Sequence, residues 1–311
     1  MNNTKYTTIN TLNNLNPYFI TGFCDAEACF TINISNNPRY TLGWGVKIVF
    51  SIHLHSKDLE NLNLIQRFFG VGSVTLHGDS AMYQVTKLND LAYIIEHFNN
   101  YPLKTQKYAD FLLFKIAYDI VKNKEHLTEV GLRKLISIRA SINKGLSEKL
   151  KIAFSNITPT TRPKVPKTNL ESNIPEIKHW MAGFVSGEGC FFIKISKSKT
   201  HKLGMSVALN FFVTQNIRDA YLLESFVQVF GCGDFSIVEK SSIGTYTVRN
   251  FSHIIDKVIP FFEEYPILGT KAKDFEDFKE TSILINSKAH LTKEGLDKIF
   301  LIKSRMNFKR I

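Results

Sequence analysis

Two stretches of this chain read alike: Ile20-Thr21-Gly22-Phe23-Cys24-Asp25-Ala26-Glu27-Ala28 and Met181-Ala182-Gly183-Phe184-Val185-Ser186-Gly187-Glu188-Gly189. Small residues stand four apart in each, Gly22 and Ala26 in one, Gly183 and Gly187 in the other, and a glutamate follows the second of them. On an α-helix this spacing puts the small residues on one face, where two backbones can approach closely. Two such helices packed on those faces would end side by side, with Glu27 and Glu188 together at one end. Like charges and the negative helix ends oppose that arrangement, and a hard divalent cation with oxygen ligands relieves it. One copy alone reads as ordinary helix packing ending in a solvated acid. Two copies at equivalent positions, each leading into an alternating segment, favour a paired site.

The similarity extends along the chain. Gly22-Phe23, Glu27 and Gly70-Val71-Gly72 recur as Gly183-Phe184, Glu188 and Gly231-Cys232-Gly233, all offset by 161. Tyr101-Pro102, Lys107, Asp110-Phe111 and His126-Leu127-Thr128 recur as Tyr265-Pro266, Lys271, Asp274-Phe275 and His290-Leu291-Thr292, offset by 164. The three extra residues fall between Gly233 and Tyr265, where a hairpin loop would absorb most of them.

Each half predicts the same order of elements. A first helix is capped by Asn16 with Pro17 in its first turn, and Pro175 plays that part in the second half. Phe30, Ile32 and Ile34 alternate with Thr31, Asn33 and Ser35, the period of a half-buried strand, and Val46, Ile48 and Phe50 continue in a second strand. A helix over 58–69 ends at Gly70. A hairpin turns at Gly78-Asp79 and returns through Tyr83–Val85; helices follow over 88–98 and 105–121, with a last one from Thr128. The expected fold is α+β, two pseudo-symmetric αββαββα repeats with extra helices, whose antiparallel sheets form a saddle. Expected boundaries are a polar N-terminal extension at 1–15, repeats at 16–155 and 176–311, and a linker at 156–175 carrying Pro159, Pro163, Pro166 and Pro175.

Bulk properties bound the function. The 311 residues carry a net charge of +11, with pI near 9.3, which points to a polyanionic partner, nucleic acid before an anionic membrane. Cys24, Cys29, Cys190 and Cys232 form no CxxC pair and no zinc-finger grouping, and read as free thiols in a reducing compartment. No apolar run is long enough to span a membrane. Abundant Asn, Lys, Ile and Phe fit an AT-rich organelle genome.

At the Gly-Phe-x-x-x-Glu cores and the downstream Tyr-Pro-x-x-x-x-Lys, the chain resembles the LAGLIDADG homing endonucleases from about Asn16 onward, and specifically the single-chain, two-repeat branch found in fungal mitochondrial introns. The resemblance implies metal ligation by Glu27 and Glu188 with the backbone carbonyls of Ala26 and Gly187, and catalytic lysines at Lys107 and Lys271 near the cleaved phosphate. It implies a monomer that hydrolyses both strands of a long asymmetric DNA target and leaves short 3′ overhangs. Mg²⁺ or Mn²⁺ would support cleavage, and Ca²⁺ would bind without supporting it. A mitochondrial location follows from the same resemblance, with no membrane partner. The alternatives are an RNA maturase acting on its host intron and a DNA-binding protein without chemistry; the intact acid pair favours the nuclease.

Three departures stand out. Asp25 has Ser186 as its counterpart, at a position that is not a metal ligand. Ala28 replaces the motif's terminal glycine, where a positive φ would be strained. Ser51 can orient a water where Phe212 cannot, so the two sites are expected to be unequal.

Polar strand faces would read base edges in the major groove: Thr31, Asn33, Ser35, Asn37, Arg39, Lys47, Thr75, Gln84 and Thr86 in the first half, and Lys194, Ser196, Ser198, Asn210, Ser236, Thr247 and Arg249 in the second. Lys197, Lys199, Lys202 and Lys240 suit phosphates. His53 and His55 lack a third metal ligand and read as strand histidines. Because neutralising phosphates releases counterions, affinity for duplex DNA is expected to fall about 10³-fold or more between roughly 50 and 200 mM salt. A binding titration that stays flat over that range contradicts the reading.

Overall fold

The computed structural model describes residues 15–167, 174–307 and 310. All but the last residue of the N-terminal extension, and residues 168–173 of the linker, lie outside that set. The first half contains α1 (Pro17–Glu27), β1 (Ala28–Asn36), β2 (Trp44–His55), α2 (Leu59–Phe69), β3 (Ser73–His77), β4 (Ser80–Val85), α3 (Leu88–Asn100), α4 (Lys107–Lys122), α5 (Glu129–Ser141) and a short α6 (Glu148–Ala153) that the sequence did not signal. The second contains α7 (Pro175–Glu188), β5 (Gly189–Lys197), β6 (Met205–Asn216), α8 (Ala220–Phe230), β7 (Asp234–Val238) and β8 (Ile243–Val248). There follow α9 (Phe251–His253), a π-turn (Ile254–Val258), α10 (Ile259–Glu264), α11 (Thr270–Asn286) and α12 (Lys293–Ser304). The fold is α+β, and each half holds one antiparallel four-stranded sheet, in the orders β1-β2-β4-β3 and β5-β6-β8-β7.

The strand pairings repeat in register. Ala28 faces Ile52 as Gly189 faces Val213, and Phe50 faces Val85 as Phe211 faces Val248. Alternation along β1 and β5 sends Phe30, Ile32, Phe191 and Ile193 inward. In the first half Phe30 packs its ring on Phe50, Phe98, Phe111 and Phe114. In the second, Phe191 packs on Phe211, Phe262, Phe275 and Phe278, the counterparts of those four residues. These rings, buried where helices cross the sheet, are the centre of each core. Tyr83 and Tyr246 are also matched: each is buried and donates its hydroxyl over 2.9 Å to a carbonyl, of Val71 and Cys232 respectively.

The structure resolves the three extra residues of the second half. Two lie in the β7–β8 connection, where 239–242 replace the two-residue turn of Gly78-Asp79. The third is inside a helix: α3 spans 13 residues, whereas its counterpart runs over 251–264 and takes up the additional residue as the π-turn. A π-turn is how a helix absorbs one inserted residue without changing the register of either flank.

The compact units do not share their boundaries with the sequence repeats. The chain divides into compact units of Glu27–Pro166 and of Tyr18–Ala26 with 167 onward, so most of α1 belongs with the second half's elements. The reason is its backbone contact with α7, described below. Within the linker, residues 156–167 are bonded to α5. Ser137 Oγ donates to the Thr158 carbonyl (2.6 Å), the Thr160 N–H donates to the Ser137 carbonyl (3.1 Å), and Ser141 Oγ donates to the Thr160 carbonyl (2.5 Å). Prolines bar this segment from helix or sheet pairing, but its carbonyls and hydroxyls still bond to α5. In addition, α7 begins at Pro175 and has 14 residues against 11 in α1, so Pro175 lies a turn earlier than the counterpart of Pro17.

His97, on α3, is buried among Phe68, Phe69, Phe98 and Tyr101. Burial pushes its pKa from 6.5 down to about 4. A histidine whose folded pKa is depressed is neutral in the native state and protonates more readily when unfolded. Its stabilising contribution is therefore intact above pH 6.5 and is lost as pH falls toward 4. The loss amounts to about 2 kcal/mol at pH 5. Urea unfolding at pH 7 and pH 5 is expected to show this drop in the wild type and a smaller one in His97→Phe; equal drops in unfolding free energy contradict the assignment.

Candidate active site

The site is built on the paired helices. A Cβ at Gly22 would lie 1.9 Å from the Trp180 carbonyl oxygen, and one at Gly183 would lie 2.0 Å from that of Phe19. Residues 19 and 180 are equivalent, so the contacts are reciprocal, and only glycine allows them. The small-residue reading is therefore realised at Gly22 and Gly183. The Asp25/Ser186 difference has a local cause. Trp180 donates its indole N–H to Asp25 Oδ2 (2.8 Å). Across the pair, Phe19 stands in the tryptophan's place and has no N–H, and there Ser186 donates to the Ala182 carbonyl (2.8 Å) and accepts from the Leu268 N–H (3.2 Å).

α1 and α7 end on Glu27 and Glu188, both half-exposed, and β1 and β5 start at the next residue. The expected strain at Ala28 is absent. Gly189 has φ −75°, ψ 158°, and Ala28 is not among the residues of positive φ. What keeps Gly189 a glycine is crowding: a Cβ there would come within 2.4 Å of Val185 Cγ1 and 2.8 Å of the Val185 carbonyl oxygen. In the first half the counterpart of Val185 is the smaller Cys24, and alanine is accommodated at position 28.

Lys271 enters from the first turn of α11, after the left-handed Gly269 at its N-cap. Its Nζ donates to the Gly187 carbonyl over 2.5 Å. The lysine that follows the Tyr-Pro pair thus meets the carbonyl that precedes the motif glutamate. The ammonium also bears on the neighbouring thiol of Cys190, which burial pushes up while Lys271 pulls it down. Lys107 is the first residue of α4, half-buried, with its N–H on Thr105 Oγ1 (3.2 Å).

The sheet registers place the groove-reading candidates. Thr31 pairs with Val49, Asn33 with Lys47 and Ser35 with Gly45, all on the face opposite the aromatic core; Thr75 and Gln84 share that face. Asn37 and Arg39 lie in the β1–β2 connection and Thr86 just beyond β4. In the second sheet Lys194, Ser196, Asn210 and Ser236 share the outward face. Ser196 Oγ is hydrogen-bonded to Ser206 Oγ (2.9 Å) and Ser198 Oγ to His201 Nδ1 (2.7 Å). Thr247 is on this face by register, between Phe212 and Asp234, but only 6% exposed. Lys197 ends β5, Lys199 and Lys202 lie in the β5–β6 loop, Lys240 in the β7–β8 connection, Arg249 after β8, and all five are exposed. Ser51 pairs with Cys29 and Gln84, and Phe212 with Cys190 and Thr247. His55 is accounted for locally, since its Nδ1 accepts the Lys57 N–H (3.2 Å), as Asn216 accepts from Arg218 (3.1 Å).

Sequence reading set His53 aside as a strand histidine and passed over Ser73, His77, Ser80 and Met82, all on the first outward face, because it followed the polar residues of β1 most closely. It also missed Asn143 and Asn307, both left-handed. Their amides donate to the carbonyls of Phe30 (2.8 Å) and Phe191 (3.2 Å), two residues into β1 and β5. They are 164 apart, so following the repeat past Thr128 finds them.

A reciprocal glycine helix pair ending in two glutamates, with a four-stranded sheet in each half, defines a duplicated LAGLIDADG architecture. The LAGLIDADG endonuclease family model matches residues 20–118 and 181–282, and the chain belongs to that family. A probable intron-encoded endonuclease of Neurospora crassa is 40% identical over 94% of this chain, which spans 65% of that relative's length. The LAGLIDADG homing endonuclease I-SmaMI, solved bound to cleaved DNA, matches with TM-score 0.90 at 39% identity over 96% of this chain and 99% of its own. The LAGLIDADG meganuclease I-CpaMI, solved bound to uncleaved DNA, matches with TM-score 0.90 at 43% identity over 94% and 100%.

The Val185–Gly189 crowding yields a test by thermodynamic cycle. Gly189→Ala is expected to cost about 1–3 kcal/mol by overpacking. The double variant Val185→Cys/Gly189→Ala, which copies the first half, is expected to be more stable than Gly189→Ala alone. Additive losses in chemical denaturation contradict the pairing.

Proposed function

We propose that the chain is a metal-dependent, site-specific double-strand DNA endonuclease that acts as a monomer on a long asymmetric target and leaves short 3′ overhangs. The observation that carries the reading is the contact of Lys271 Nζ with the Gly187 carbonyl, 2.5 Å apart. It joins the repeat's lysine to the end of the acid-bearing helix. Relatives of this architecture solved with cleaved and uncleaved DNA support the substrate class.

The donor set fits a hard divalent cation. The carbonyl end of α7 already draws a cation, the Lys271 ammonium, as the negative end of a helix does. Among the described residues no three His, Cys, Asp or Glu side chains group as a metal cage. Two glutamates and two backbone carbonyls would instead hold an ion that keeps open positions, as Mg²⁺ does. The residues assigned to it are Glu27 and Glu188 with the carbonyls of Ala26 and Gly187. Mg²⁺ or Mn²⁺ would serve the reaction, and Ca²⁺ would bind without supporting it. Such ions polarise a phosphodiester, lower the pKa of a water and stabilise the leaving 3′ oxygen.

The chain's own residues do the rest. Lys107 and Lys271 offset charge that builds on the phosphate oxygens. The outward sheet faces read base edges, and the exposed Lys197, Lys199, Lys202 and Lys240 grip phosphates. Ser51 can orient a water and Phe212 cannot, so the two strands are cut at different rates. The fungal intron-encoded relative and the Asn-, Lys- and Ile-rich composition support a mitochondrial location. No helix among the described residues is long and apolar enough to cross a membrane.

The direct test is cleavage selection from a randomised duplex library with Mg²⁺. Glu27→Gln and Glu188→Gln are expected to abolish double-strand cleavage of the selected duplex and leave its binding nearly unchanged. Full cleavage by either variant refutes the site.

A further inference from the structure

Asp110 and Asp274 recur in both halves, yet neither belongs to the acid pair. Both are buried near the start of a lysine-bearing helix, three residues after Lys107 and Lys271. Each meets an arginine from a segment that follows the last helices of its half. Arg162, in the strap over 156–167, donates through Nη1 to Asp110 Oδ1 (2.6 Å) and to the Ser141 carbonyl (3.0 Å), and through Nη2 to the Gln106 carbonyl (2.8 Å). Arg310 donates to Asp274 Oδ1 (2.8 Å) and to Asp277. Asp274 also accepts the Asn307 N–H (3.0 Å).

We propose that each half holds its lysine-bearing helix with this aspartate–arginine latch, and that Arg162 and Arg310 are the positioning residues of Lys107 and Lys271. The inference rests on the catalytic reading of those lysines. Gln106 and Asp110 flank Lys107, and one guanidinium fork clamps both. Nη1 on the Ser141 carbonyl ties the start of α4 to the end of α5. A planar fork can bridge three acceptors where an ammonium can reach only part of the set. The strap is thus a working part of the first site, supplied by chain that composition alone marks as linker. In the second half the same part is played from position 310.

Loss of the fork tilts the α4 end that carries Lys107 and leaves α11 untouched, so its effect falls on one strand. The experiment uses the full chain, Mg²⁺ and a duplex selected by wild-type cleavage of a randomised library, with a different label on each strand. Single-turnover rates are measured at saturating protein, well below the melting temperature of each variant. Arg162→Ala is expected to slow one strand about 10- to 100-fold, the cost of misplacing a catalytic group by about an ångström. It should be the strand that Lys107→Ala slows, with duplex binding unchanged. Arg162→Lys keeps the charge but not the fork, and is expected to show the same strand bias even if Arg162→Ala folds poorly. Arg310→Ala is expected to slow the opposite strand. Equal slowing of both strands by the Arg162 variants, or full rates on both, overturns the latch while the endonuclease reading stands. A wild-type protein that cuts no duplex in the library overturns both.

Discussion

The structure depends on one close approach, the backbones of α1 and α7 meeting at Gly22 and Gly183. Any side chain at either residue would sit within 2.0 Å of a carbonyl oxygen of the partner helix. That contact draws Tyr18–Ala26 into the unit formed by the second half. It fixes where the helices end, and hence where Glu27 and Glu188 leave the helices and the strands begin. Asp25 and Trp180 add a buried hydrogen bond to the pair, and Ser186 uses its hydroxyl to anchor Leu268, three residues before Lys271. The packing contact and the proposed metal-binding acids therefore occupy consecutive turns of the same helices. This arrangement is economical, and it leaves little room for substitution.

Sheets and core follow from alternation. Phe30 and Phe191 point inward because the strands start at fixed residues after the helix ends, and a one-residue slip would turn the aromatic face to solvent. The outward faces are then free to vary, and they do: Asn33 and Lys47 on one sheet, Lys194 and Ala208 at the matching places on the other. Electrostatics adds to the separation of roles. Exposed lysines gather in the loops and strand ends of the second sheet, while the buried acids Asp110, Asp274 and Asp277 are each met by an arginine.

The strand–helix order and the acid-bearing helices were legible because periodicity and duplication reinforced each other. Gly22 and Gly183 showed as a four-residue spacing, and Lys271 was found through its place after Tyr265-Pro266. What could not be read depends on tertiary contact. The Val185–Gly189 crowding needs the distance from the Gly189 backbone to the Val185 side chain and carbonyl, so Ala28 invited a false inference of backbone strain. The bonds of Arg162 join residues 21, 52 and 56 positions apart, and the prolines around it gave the composition of a tether. The π-turn was hidden because an added residue leaves hydrophobic spacing on both sides intact; only the count between Gly233 and Tyr265 betrayed it.

The assignment of Tyr18–Ala26 to the second unit bears on inheritance. A duplicated protein invites recombination, with one half exchanged for that of a relative to combine two recognition surfaces. By composition the seam is the proline-rich segment, yet a cut there separates α1 from the helix it packs against. A half exchanged in that way arrives with a glycine ridge matched to another partner. The unit of exchange is a sheet with its covering helices, beginning after Ala26, and α1 travels with the second half although the chain makes it first. An exchange of halves in this architecture therefore keeps α1 with α7 and the sheet that follows it, and trades the unit that begins at Glu27.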